Sequence, residues 1–345
     1  MHKDLAKAAE LTGVELPALE EASKTSERLL DQFKEVLKEQ FSLEKLEGVQ
    51  KTDIVLLGSI ARGESSHQSD CDYFVLQNGA PPNTTQALIK AAEQITNDVA
   101  NRQPGPQGVF GQVVVAPNLF ESIGLECDTN TNMTRRVLLL SESKPVTMGA
   151  THNETIDNIL SRYCADYLPP NRAENSPAKV PRYLLNDLVR YWRTMAVDFG
   201  SKRRLNGDSH IRLAKLRITR KILFAGPLST VLLAPKHIAN NSDLQSYLKK
   251  SFEGSPLAQL AKHTSSLNDA SKEAMKILLQ NYDRFISVLS GGKRDVLKGI
   301  KGDTKSKEEI RKQCREIGDN IQSSLEKIFY EDPLFQESFR RYSVF

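Results

Sequence analysis

Leu29, Leu30, Phe33, Val36, Leu37 and Phe41 recur at helical spacing in a chain that reads as helix over residues 3–45. Thr12-Gly13 and Leu16-Pro17 cut that segment into a short first helix and a longer second one. The stripe reads as the core-facing side of an arm packed on the domain C-terminal to it. The period then changes. Ile54-Val55-Leu56-Leu57 is a continuous apolar run that stops at Gly58-Ser59, and a second run begins at Tyr73-Phe74-Val75-Leu76. This pattern predicts strand, tight turn, short helix or loop, and strand. Asn78 to Pro82 is a loop, 85–101 a helix, Pro104-Gly105-Pro106 a breaker, and 109–116 a third strand. A helix over 156–167 leads to a proline-bearing polar stretch, 169–177, which is the best interdomain linker.

Beyond it, a helix is expected over 181–199, with Leu184, Leu188, Tyr191, Met195 and Phe199 on its apolar side. A basic loop at Lys202-Arg203-Arg204 and one further helix over 211–226 come next. Residues 228–345 read as amphipathic helices, with loops at 290–293 and 299–305, a last long helix over 306–329 and a short tail from Pro333. The order predicts an α+β protein with a small mixed sheet, an N-terminal helical arm and an all-helical C-terminal domain. The boundaries expected are 1–50, 51–168 and 178–345.

Composition narrows this picture. A chain of 345 residues, 39% hydrophobic, has material for two packed cores. No apolar run reaches about 18 residues, so no membrane helix and no membrane partner are expected. The first residues carry acids and no apolar core of a signal peptide. Four cysteines, Cys71, Cys127, Cys164 and Cys314, lie far apart and form neither a zinc pattern nor a disulfide framework. A reducing cytoplasm is the simplest setting. The net charge of +4 is too mild to argue for nucleic acid by itself.

The candidate chemistry lies between the first two strands. Asp70 and Asp72 flank Cys71 just before the second apolar run, eleven and thirteen residues after Ser59. If that segment is extended, both carboxylates point to one face. Two such groups repel unless a cation sits between them, and Mg²⁺ favours a few carboxylates plus phosphate oxygens. Gly58 permits a sharp turn, and a helix starting there would aim free N–H groups and the Ser59 hydroxyl at phosphate. Arg62, in the same turn with Glu64, faces either phosphate or solvent.

Gly58, Ser59, Asp70 and Asp72 resemble, position by position, the signature of the polymerase-β-type nucleotidyltransferases. The resemblance implies that Gly58 and Ser59 bind the triphosphate and that Asp70 and Asp72 hold the catalytic metals, Mg²⁺ or alternatively Mn²⁺. Members of that family often carry a third carboxylate on the third strand, and Gly111 to Pro117 contains none. Glu121, Glu126 and Asp128 follow nearby and could substitute. Residues 124–146 are similar to the segment after the core in PII-protein uridylyltransferases and related stand-alone nucleotidyltransferases. Asp128 or Thr129 is the expected N-cap of its helix, with Arg135 and Arg136 further in, able to meet phosphate or a partner acid.

The helix with Asp187, Arg190 and Thr194 on one side resembles one in the same stand-alone proteins. In such enzymes a lysine or arginine of a helical second domain closes on the triphosphate, with the nucleotide in the cleft between domains. Arg190, Lys215, Arg217 and Lys221 are the candidates here, of which Arg217 and Lys221 share a face. Gly291-Gly292-Lys293 is not a P-loop, because the upstream glycine and the following Ser or Thr are missing.

These observations predict a Mg²⁺-dependent nucleotidyltransferase that uses a nucleoside triphosphate such as ATP. The acceptor would be a hydroxyl of a protein or an RNA, with a tRNA end among the candidates, and an antitoxin or regulatory protein is a further candidate partner. Two other readings stand beside it. One is a catalytically inactive nucleotide-binding regulator, which the missing third carboxylate permits. The other is a sugar-nucleotide-dependent glycosyltransferase using Asp70 and Asp72 as its D-x-D.

Overall fold

The structure is a computed structural model and describes residues 1–41, 43–67, 69–100, 109–165, 179–206, 210–238, 243–290, 295, 297 and 303–343. The breaker at 104–106, the linker at 169–177 and most of the loops expected at 290–293 and 299–305 lie outside these residues. The chain divides into two compact units, Ala22–Arg172 and Met1–Glu21 with Ala173–Phe345. Among the described residues, no helix is long and apolar enough to cross a membrane.

The first unit is built on a four-stranded mixed sheet of order β3-β2-β1-β4. The strands are β1 (Thr52–Leu57), β2 (Tyr73–Gln77), β3 (Val113–Val115) and β4 (Ser143–Pro145). β1 runs antiparallel to β2, with Ile54 opposite Val75 and Leu56 opposite Tyr73. It is also antiparallel to β4, while β2 and β3 are parallel. Every residue of β1 is buried. A strand covered on both faces needs apolar side chains in both directions, which is why its sequence shows no alternation.

On one face Ile54, Leu56, Cys71, Tyr73 and Val75 meet Phe33 and Leu37. These come from α2 (Pro17–Gln40). Leu88, Ala91, Ala92 and Ile95 of α4 (Pro82–Ile95) complete that core, and Leu29, Leu30, Val36 and Phe41 lie half-buried against it. The helical stripe read from the sequence is thus the side that covers the sheet. Between these helices lies α3 (Gly58–Arg62); α5 (Pro117–Phe120), α6 (Asn130–Ser141) and α7 (Ala150–Ala165) come after them. Asp53 fixes the start of α7. Its Oδ1 accepts from the Thr147 hydroxyl and the Gly149 N–H, both at 2.6 Å, and its Oδ2 from the His152 N–H at 2.8 Å. This satisfies N–H groups that a helix start leaves open.

The second unit is helical: α1 (Lys3–Thr12), α8 (Arg182–Asn206), α9 (His210–Arg217), α10 (Thr219–His237), α11 (Leu244–Phe252), α12 (Pro256–Ala261), α13 (Asp269–Ser290), α14 (Thr304–Glu326) and α15 (Gln336–Ser343). Helix α10 is buried almost all round, as a central core helix must be. Its Gly226 lies so close to α12 that a Cβ would fall 2.0 Å from the Pro256 carbonyl oxygen.

Four expectations are corrected. Lys202-Arg203-Arg204 is not a loop, because α8 runs through it to Asn206 and Lys202 pairs with Asp198 one turn back at 2.7 Å. The helix expected over 211–226 is two helices. The backbone at Ile218 leaves the helical region (φ −118°, ψ −83°), and its side chain is buried. The third strand is only Val113–Val115. The tail after Pro333 forms helix α15.

His263 sits in the core of this unit, its ring stacked on His237 with centroids 5.4 Å apart and edge-on to Phe335 at 5.8 Å. Burial, then the charges of His237 and Lys262, push its pKa down from 6.5 to about 3. Below about pH 6.5 the unfolded chain therefore binds a proton that the folded chain refuses, and stability falls with pH. His152 in the other unit, lowered to about 4 mainly by burial, acts with the same sign. Urea midpoints measured from pH 7 to pH 4 should decline. The decline should be shallower in His263→Phe than in the unsubstituted protein.

Candidate active site

The end of β1 and the approach to β2 form one structure. The Leu57 N–H donates to the Asp72 carbonyl at 2.8 Å, so the β1–β2 ladder continues to the residue before the strand proper. Cys71 is fully buried in the core below the sheet, whereas Asp70 and Asp72 are half-buried. Burial thus alternates along the D-x-D, Cys71 inward and both aspartates half-open, the pattern an extended segment gives. Burial drives the Cys71 thiol up to about 12, a hydrogen bond from Thr96 opposes this, and the charges of Asp72 and Asp70 add to it. The thiol is therefore a neutral spacer.

Gly58 turns the chain at φ +68°, a conformation that side chains with a Cβ resist. A Cβ there would lie 3.1 Å from Asp72 Oδ2. The bare backbone of Gly58 thus borders the carboxylate directly. Helix α3 begins at this residue, carries the half-buried Ser59, and ends at Gly63, whose N–H donates to the Ile60 and Ser59 carbonyls. Gly58→Ala should cost about 1 kcal/mol in stability from the backbone alone. It should also displace Asp72, so activity is expected to fall further than stability; comparing urea midpoint with turnover separates the two.

Arg62 does not end in solvent. Its Nε donates to Glu64 at 2.7 Å, and its Nη1 makes a short contact with Glu142. Both glutamates are buried. Glu142 closes α6 and precedes Ser143, which pairs with Leu57 across the β1–β4 ladder. Burial raises the Glu142 pKa, the Arg62 charge and hydrogen bond lower it, and the charges of Glu64 and Asp72 raise it again. Arg62 therefore bridges two acids, and Glu142 feels the charge of Asp72. Glu142 was missed in the sequence, where the available signal was a lone acid closing the run Val137 to Leu140.

The substitutes for a third carboxylate fare differently. Gln112 precedes β3, and its side-chain oxygen accepts from Arg135 Nη2 at 2.7 Å. Asp128 is buried and bonded to Arg136 at 2.8 Å. Glu121 and Glu126 are exposed. Thr129, not Asp128, is the N-cap of α6, accepting from the Asn132 N–H at 3.1 Å.

Arg190, Lys215, Arg217 and Lys221 all belong to the helical unit. Arg190 is half-buried on α8 and Lys215 on α9. Arg217 Nη2 pairs with Asp319 Oδ1 at 2.5 Å. Lys221 lies in the first turn of α10, and its pKa is lowered by burial and by Arg217, against the opposing pull of Asp319 and Glu326. Among the described residues, no group of three or more His, Cys, Asp or Glu gathers as a metal site. The two aspartates fit a cation that takes its remaining ligands from phosphate and water.

Residues 30–104 match the family described as nucleotidyltransferase domain. The match spans the C-terminal part of α2, β1, the Gly58-Ser59 turn, both aspartates, β2 and α4, and it places this segment in the polymerase-β-type nucleotidyltransferase superfamily. A search of curated proteins finds no match.

Proposed function

We propose that this chain is a Mg²⁺-dependent nucleotidyltransferase that moves a nucleoside monophosphate from a triphosphate to a hydroxyl on a protein or an RNA, releasing pyrophosphate. The observation that carries the reading is the pair of half-open carboxylates Asp70 and Asp72 around buried Cys71, with the bare backbone of Gly58 against Asp72. These two carboxylates would hold the cation. When bound, it offsets charge on the α-phosphate and on the departing pyrophosphate.

The protein's own groups do the rest. Gly58 and Ser59 present backbone N–H groups and a hydroxyl to the β- and γ-phosphates, and a residue without a Cβ at position 58 leaves the space beside Asp72 open. Arg62, tied to Glu64 and Glu142, braces α3 against β4 and so orients the Gly58-Ser59 turn. Arg190, Lys215, Arg217 and Lys221 supply further phosphate-binding charge in this reading, Arg217 sharing its charge with Asp319.

The reading is tested with α-labelled nucleoside triphosphates, Mg²⁺ and a lysate separated into protein and RNA fractions. Label should move to one fraction and fail to move with Asp70→Asn/Asp72→Asn. A second reading, a nucleotide-binding regulator without turnover, draws on Gln112 standing at the entry to β3 where an acid would assist the acceptor. Nucleotide binding by calorimetry with no transfer from any triphosphate would favour it.

A further inference from the structure

The helical unit carries more charge than the four cations of the proposed site account for. Residues 182–221 hold eleven lysines and arginines against three aspartates, a net +8. The whole chain is only +4, so the remainder sums to −4. The excess is ordered along α8. Arg182, Arg193 and Arg204 follow one another at intervals of eleven residues, and all three are exposed. Eleven residues are close to three turns, so the three side chains share one face, about 16 Å apart and spanning about 33 Å. Arg190 lies beside Arg193 on the same side. The acids of α8 are elsewhere: Asp187 is buried, and Asp198 is paired with Lys202. A merely solvated helix face gains from interleaved opposite charges, and α8 places none on this one. Along the flank toward α10, the ring of Trp192 stacks on Phe224 with centroids 5.8 Å apart and planes 22° from parallel, and both are half-buried.

We infer that this face of α8 is a docking surface for single-stranded RNA, with the arginines on the phosphate backbone and the Trp192–Phe224 pair as a stacking platform for a base. The inference rests on the transferase reading in one respect, that the bound RNA is the acceptor. Charge complementarity selects the occupant. Cations strung along three turns at a time match a repeating polyanion, whereas a phosphopeptide would call for a pocket around one or two phosphates. Arginine suits phosphate because its planar fork bonds two oxygens at once. The half-buried aromatic pair on the flank favours unpaired bases over a duplex, whose bases are already stacked.

The test is fluorescence anisotropy of a labelled single-stranded RNA of about sixteen nucleotides, a length one binding module can cover, titrated with the full chain at several salt concentrations. Affinity should fall with log salt at a slope of about −0.7 per phosphate contact, and Arg182→Gln/Arg193→Gln/Arg204→Gln should flatten that slope by about 2. The exposed positions leave the far-UV circular dichroism of the triple variant unchanged. Trp192→Ala should weaken binding at least about fivefold without altering the slope, because stacking releases no counterions. Unlabelled duplex RNA, an acidic phosphopeptide and phosphatidylserine vesicles serve as competitors. Displacement by any of them at lower concentration than by single-stranded RNA overturns the inference, as does equal binding by the triple variant. Asp70→Asn/Asp72→Asn should bind RNA normally. Transfer to protein with no RNA binding would sink this inference alone, and RNA binding without transfer would sink the catalytic reading alone.

Discussion

Asp70→Asn/Asp72→Asn should lower nucleotidyl transfer by at least about a thousandfold, since removing a single group that stabilises transition-state charge commonly costs a hundredfold or more. Asparagine keeps the shape of aspartate and removes its charge. Neither residue is in the core: Cys71 between them packs inward, and they turn the other way. Two like charges on one face also repel in the absence of a cation. The substitution is therefore expected to leave the urea midpoint unchanged or slightly raised, within about 0.5 kcal/mol. Pyrophosphate release and urea unfolding measured on the same preparations decide the matter. Turnover that survives the double substitution would refute the proposed chemistry. Turnover lost together with stability would show that the aspartates are structural.

The largest effect on stability is expected at Arg136. Its guanidinium is fully buried and held by hydrogen bonds: Nε to the Tyr163 hydroxyl at 2.7 Å, Nη1 to the Leu119 carbonyl at 3.0 Å and Asp128 Oδ1 at 3.2 Å, Nη2 to Asp128 Oδ2 at 2.8 Å. The forked pairing offsets the cost of taking both charges out of water. Arg136→Met strands the buried Asp128 and should cost about 3–5 kcal/mol. That is a large part of the 5–15 kcal/mol typical of a folded domain. Adding Asp128→Leu should recover much of the loss, because the stranded charge is then gone. Urea unfolding followed by far-UV circular dichroism measures both steps. A loss under about 1 kcal/mol for Arg136→Met would mean that water reaches Asp128. The network joins the end of α5, the approach to α6 and helix α7. It thereby fixes the helix that delivers Glu142 beside the aspartates, so partial loss of activity should accompany the loss of stability.

Much of the fold could be read along the chain because it is written in local periods. The apolar stripe of α2, the two strands around the Gly58 turn, and the opposite directions of Cys71 and its flanking aspartates depend only on spacings of two, three and four residues. Local reading failed where the deciding partner is distant or weakly patterned. Lys202, Arg203 and Arg204 looked like a basic loop, yet lysine and arginine favour helix, and Asp198 one turn back holds Lys202 in place. At Ile218 the helical period continues in sequence, but the backbone departs from it where Gly318 of α14 lets Arg217 approach.

The sequence by itself determined the turn at Gly58, the strands on either side and the alternation of buried Cys71 with two half-open aspartates, because each depends on local geometry alone. Only the tertiary structure decided the company those residues keep. Arg62 could face phosphate or solvent as far as its neighbours in the chain show. It meets Glu142, eighty residues away, because the antiparallel register of β1 and β4 sets Leu57 against Ser143. Arg136 could have met phosphate, and instead it is the largest fully buried side chain among the described residues, because Asp128, Leu119 and Tyr163 converge on it. Met1–Glu21 joins the C-terminal helices although it precedes the sheet in sequence. Local periodicity fixes which face of an element is apolar; which other element covers that face depends on contacts between residues far apart in the chain.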